Sequence, residues 1–213
     1  MKKKRSPILP FPIGPQRERS DSTWHNRAGI EIELYARSLQ RSAKVLLGNL
    51  DRSEDAKTAW DVGPIMMLYR EAVELQMKFL VEEGGRFLSS PTDQLTLAKT
   101  RSIRWLGQIV CQVVRAVQWE PEFRCEGVSN LVAFSALIAE LDDMEPVAAA
   151  MYSDKTKHGF GDVPPQLKKA KVLEVVPKLD ALLDLLSATA DGLAAAAQFM
   201  KLDEDSQGEE TIQ

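Results

Sequence analysis

Apolar side chains recur at helical spacing through most of the chain. Ile32, Ala36, Leu39, Ala43, Leu46 and Leu50 follow one another in alternating steps of four and three. That spacing predicts one buried stripe on a helix from about Asn26 to Leu50. A polar stretch, Asp51 to Gly63, reads as a loop. Pro64 then suits the first turn of a second helix, and Gly84-Gly85 suits its end. Apolar residues cover most of this second helix, among them Ile65, Met66, Tyr69, Val73, Met77 and Leu80. A helix that is apolar nearly all round belongs at the centre of a bundle.

The same reading predicts a third helix from Ser90-Pro91 to about Gln118, with Ile103, Leu106, Val110, Val113 and Val117 as its stripe. A fourth spans about Gly127 to Asp143, burying Leu131, Phe134, Ile138 and Leu141. Its small residues favour close packing. From Glu145 to about Lys171, Pro146, Gly159, Gly161, Pro164 and Pro165 predict a long irregular connection. The last helix carries Leu179, Leu183, Leu186, Ala190, Leu193, Ala197 and Met200. An interior proline costs about 3 kcal/mol, so Pro177 is placed in its first turn. The first and last stripes are long enough to pack against each other. Strand alternation and hairpin turns are missing. The fold class is therefore all-α, a bundle of about five main helices.

Composition limits what such a bundle can do. Hydrophobic residues make up 44% and charged residues 27%, as in an ordinary globular domain. With 27 basic and 31 acidic residues the net charge is −4, which does not suit a nucleic-acid coat protein. The charges are unevenly placed. Residues 1–23 hold six basic and two acidic side chains among prolines; from Asp203 onward there are five acidic and no basic ones. The expected organisation is a basic proline-rich tail over 1–23, one helical domain over 24–202 and an acidic tail over 203–213.

No apolar run reaches bilayer length, so no membrane association is expected. The prolines after Arg5 interrupt any signal-peptide helix. Cys111 and Cys125 do not have metal-ligand spacing, and they read as small apolar residues in a reducing cytoplasm. His25 and His158 are the only histidines, which leaves too few ligands for a zinc site. Gly159-Phe-Gly161 lacks dinucleotide or P-loop spacing. Neither a metal nor a cofactor is expected.

Three groups of side chains remain as candidate chemistry. Arg70, Glu74, Lys78 and Glu82 form a ladder of alternating charge on the second helix, with Glu71 alongside. It is either a solvated face held by i, i+4 pairs or a partly buried polar row. On the third helix Arg101, Arg104, Gln108 and Arg115 share a narrow stripe with no acid among them. Such a row can hold phosphates bidentately, or it can be balanced by carboxylates of a neighbouring helix. The polar segment Tyr152 to Gly159 gathers Asp154, Lys155, Lys157 and His158. The phosphate- or ligand-binding candidates are thus Arg70, Glu74, Lys78, Arg101, Arg104, Arg115 and Lys155. Arg101 and His158 are the only candidates for catalysis.

Leu68 to Leu80, LYREAVELQMKFL, resembles the LYRHALELxLKxL-type helix of HEPN-like proteins. Arg101 to Leu106, RSIRWL, is similar to the family's next helix, and Met151 to Lys155 falls where an arginine-tyrosine-proline stretch is common. The resemblance covers about residues 26 to 200. It implies an all-α bundle, often dimeric, sometimes a metal-independent ribonuclease with an Arg-x(4–6)-His motif. The sequence departs from that motif. Glu71 and Arg101 stand where the family patterns have histidine, and Met151 and Ser153 replace arginine and proline. Arg19 and His25 match the spacing, but outside the helical core. The resemblance therefore implies a non-catalytic binding or regulatory module, in a stress or phage-defence setting, recognising RNA, a nucleotide or a partner protein. The alternatives are a ribonuclease with non-standard residues and a structural protein that oligomerises, for example as a homodimer.

Overall fold

In a computed structural model we describe residues 22–52, 59–89, 94–153 and 169–209, with side chains over 31–50, 62–89, 96–97, 99–143 and 169–198. The chain is all-α. Helix α1 spans Ser22–Arg52, α2 Ala59–Gly84, α3 Gln94–Lys99, α4 Ile103–Ala116, α5 Leu131–Ser153 and α6 Lys169–Glu209. A 3-10 turn, Gly85–Phe87, follows α2. Among the described residues there is no strand, only an isolated bridge between Cys125 and Val128. No described helix is long and apolar enough to cross a membrane.

Helix α2 is the centre of the bundle, as its apolar circumference predicts. Ile65, Tyr69, Ala72, Val73, Met77 and Leu80 are fully buried, and α1, α4, α5 and α6 all pack on it. Helices α1 and α6 both lean on α2 and are joined to each other by hydrogen bonds from Gln40 to Asp180 and from Ser187 to Glu33. The stripe on α6 is buried as predicted from Leu179 to Ala197. On α1 the buried line differs. It runs through Ala36, Gln40, Ala43 and Leu50 with Leu47 packed beside it, while Leu46 is exposed. At 3.6 residues per turn Leu47 lies about 20° from Ala36 around the axis, and Leu46 about 80°. Strict alternation of three and four drifts off the buried face.

At several prolines the elements run on past the reading by punctuation. Pro64 lies several residues inside α2, Pro177 lies well inside α6, and α5 continues through Pro146. A proline removes one i→i−4 bond, and packing outweighs that loss here. Ile65 and Met66 are buried beside Pro64, and Val175, Val176 and Leu179 around Pro177, whose own ring faces water. The expected irregular stretch therefore shortens, and only 154–168 lies outside the described residues. At the other end α6 passes Asp203 and continues to Glu209.

The expected third helix is two. It breaks at Thr100–Ser102, where extended Ser102 accepts a hydrogen bond from Trp105 N at 3.2 Å and caps α4. Helix α4 ends without glycine. Gln118 takes a positive φ of 62°, Trp119 N donates to Val114 O and Gln118 N to Arg115 O. This is the paired closure usually built around glycine. Helix α5 starts at Leu131 because Asn130 Oδ1 accepts from both Val132 N and Ala133 N at 2.9 Å.

Helix α2 stops at Gly84, as expected, and this glycine serves a second purpose. Its backbone is right-handed, and a Cβ there would lie 2.3 Å from Val113 Cγ1 of α4. The glycine sets how closely α2 and α4 approach. Gly84→Ala is expected to lose about 1–3 kcal/mol in urea unfolding through overpacking. At Gly85 a Cβ would meet nothing within 4 Å. Gly85→Ala is expected to change stability by no more than about 0.5 kcal/mol.

Candidate functional site

Arg70, Glu74 and Lys78 stand one turn apart on α2 and face the α3–α4 break and α5. Arg70 and Glu74 are buried, Glu74 to 1% exposure. The Glu74 carboxylate accepts from Arg70 Nη1 at 3.2 Å and from Lys78 Nζ at 2.9 Å. Arg101 Nε lies 3.6 Å from the same carboxylate. The Arg101 side chain also grips Glu71, with Nη2 to Oε2 at 2.9 Å. In return Arg70 Nη2 donates to the Arg101 carbonyl at 2.7 Å. Residue 101 is thus held twice by α2, once through its backbone and once through its side chain.

The network continues onto α5. Arg70 Nη2 lies 3.8 Å from Asp142 Oδ1. Arg104 Nε donates to Asp142 Oδ2 at 2.9 Å, and its Nη2 reaches Asp143 and the Ala139 carbonyl. These hydrogen bonds, to Asp142 first and Asp143 second, hold the Arg104 guanidinium above its ordinary pKa. Five candidates therefore converge: Arg70, Glu74, Lys78, Arg101 and Arg104. Four cations meet four carboxylates, Glu71, Glu74, Asp142 and Asp143.

This placement bears on two open readings. The ladder on α2 is a partly buried polar row at Arg70, Glu74 and Lys78 and exposed only at Glu82. The arginine row is balanced by carboxylates of neighbouring elements. Arg115 stands apart, roughly 16 Å along α4 from Arg104, and pairs with Glu120 at 3.5 Å. Lys155 and His158 lie outside the described residues, as do the side chains of His25 and Tyr152. Both cysteines are free thiols, Cys111 buried and Cys125 half-buried.

Sequence reasoning missed the acids that complete the network. Asp142 and Asp143 ended the expected fourth helix, and the only signal was an acidic pair on its polar side. Arg104 is 38 residues away from Asp142 in sequence, so no i, i+4 rule could join them.

A second polar cluster ties α2 to α1 and α6. Asp180 Oδ1 on α6 accepts from the Tyr69 hydroxyl at 2.9 Å and from Gln40 Nε2 at 2.6 Å, with Lys44 Nζ at 3.1 Å. Tyr69, which the sequence counts among the apolar positions of this helix, is fully buried but uses its hydroxyl as a donor. Burial first, and then the Asp180 charge and hydrogen bond, push its pKa well above the ordinary tyrosine value.

Among the described residues no group of three or more His, Cys, Asp or Glu is placed to hold a metal. Compared with protein families, curated proteins and solved structures, the chain matches none.

Tyr69 links folding to alkaline pH. Below about pH 10 the phenol is protonated in both states and its hydrogen bond contributes in full. Above that the unfolded chain loses the proton and the folded one keeps it, so stability falls as pH rises. The expected extra slope is about 1.4 kcal/mol per pH unit. Urea unfolding at a series of pH values above 10 checks this, because Tyr69→Phe removes that part of the slope. Equal slopes in the two proteins would contradict it.

Proposed function

We propose that this chain is a HEPN-like helical binding module without catalysis of its own, and that it recognises a partner protein. The observation that supports this reading is the convergence of Arg70, Glu74, Lys78, Arg101 and Arg104 in a network with as many carboxylates as cations. An anionic ligand gains from a row of cations that lack acids. Here a phosphate would have to displace Glu71 from Arg101, or Asp142 and Asp143 from Arg104. At the rim Arg101, Arg104 and Asp143 are 64%, 46% and 66% exposed. They present alternating charge, which suits a protein surface of complementary pattern and sets specificity more than affinity. The family-like helix over Leu68 to Leu80 supports the same reading, since it carries Glu71 and not the histidine of the ribonuclease pattern. The cytoplasmic location belongs to this proposal and rests on the sparse cysteine content.

RNA cleavage and RNA binding assays at near-physiological salt test it. The purified protein is expected to leave RNA intact in the presence of a chelator and to show no saturable binding. A partner captured from the host is expected to be lost on Arg101→Glu while the helical circular dichroism is unchanged. RNA cleavage without metal that disappears in Arg101→Ala or His158→Ala would establish the ribonuclease instead.

A further inference from the structure

Helices α1, α2 and α6 leave a small pocket where they meet, apart from the charge network and open to solvent on the side of Arg37 and Asp184, whose side chains are 44% and 70% exposed. Its polar wall is Arg37 and Gln40 from α1, Gln76 from α2, and Asp184 and Ser187 from α6. Gln76 is 2% exposed, and among the described residues no protein donor reaches its Oε1. The neighbouring side chains direct hydrogen bonds elsewhere. Gln40 Nε2 is on Asp180 at 2.6 Å, Arg37 Nε on Glu33 at 2.8 Å, and Ser187 Oγ on Glu33 at 3.2 Å. A buried amide oxygen is rarely left unmet in a folded protein.

We propose that this pocket is a binding site for one structural water that joins the three helices. The lining selects among occupants. An anion would face the Gln76 oxygen and the Asp184 carboxylate. A metal cation would face the Arg37 guanidinium. An apolar group would leave Gln76 Oε1 without a donor. Water both donates and accepts, so it meets Gln76 Oε1 with one hydrogen and has a second for Asp184 or Ser187. The space holds about one water molecule. Turning the Gln76 amide over would present N–H groups instead, and water satisfies those as well. The site lies beside the Tyr69–Asp180 cluster and shares Gln40 with it, so the seam where α1 and α6 meet is polar and hydrated.

A crystal structure of the full chain at a resolution that shows ordered water tests this. The expected result is a density peak within hydrogen-bond distance of Gln76 Oε1, also in reach of α1 and α6, that is absent in Gln76→Leu. A pocket without density, or a protein donor turned onto Gln76 Oε1, would overturn it. In solution, cross-relaxation from long-lived water to the Gln76 side-chain amide is expected in the wild-type protein, and its absence would equally overturn the proposal.

Discussion

A carboxylate buried in the central helix constrains this structure more than any other single group. Glu74 is 1% exposed. A charge taken so far out of water is tolerated only if it is paired and hydrogen-bonded. Its own helix supplies Arg70 and Lys78, each one turn away. That still leaves the guanidinium of Arg70 buried with donors to satisfy. The α3–α4 break provides the acceptor, because a chain that leaves the helix at Thr100–Ser102 offers the Arg101 carbonyl to Arg70. An unbroken helix would have used that carbonyl internally. The break in the third helix, the cap at Ser102 and the ion network on α2 are therefore parts of one solution.

The same constraint shapes what the surface can recognise. Arg101, in the break before α4, reaches to α2, and Arg104 of α4 reaches to α5. Glu71, Asp142 and Asp143 offset the charge of these arginines. What remains at the rim is a mixed pattern of charges. The Tyr69–Asp180 cluster does comparable work on the opposite flank, where α1 and α6 share α2. Helix α2 is thus central in two senses: its apolar faces build the core, and its polar groups decide how the outer helices sit.

The helical class and the central role of α2 were legible in the sequence because both follow from the density of apolar residues around one helix. The buried line on α6 from Leu179 to Ala197 was equally plain. Element ends were legible only in part: α2 stops at Gly84 as the glycine pair indicates, but proline does not mark the starts. Pro64, Pro146 and Pro177 lie inside helices that packing sustains, and Gly84 makes room for Val113. Convergence of the candidate residues was visible only in part. The i, i+4 ladder placed Arg70, Glu74 and Lys78 together, whereas the pairing of Arg101 with Glu71 and of Arg104 with Asp142 and Asp143 arises from tertiary contacts. The all-α class that is seen follows from the apolar stripes; the family resemblance of Leu68 to Leu80 and the function it implies belong to the proposal.

A double-mutant cycle on Arg70 and Glu74, read by urea unfolding, tests the central role of the buried pair most directly. Arg70→Met and Glu74→Met are each expected to cost about 3–5 kcal/mol, because each leaves the other partner buried with an incomplete set of bonds. The double variant is expected to cost less than the two together, by about 2–3 kcal/mol. Losses that add to within about 0.5 kcal/mol would contradict the account, for the two side chains would then act independently.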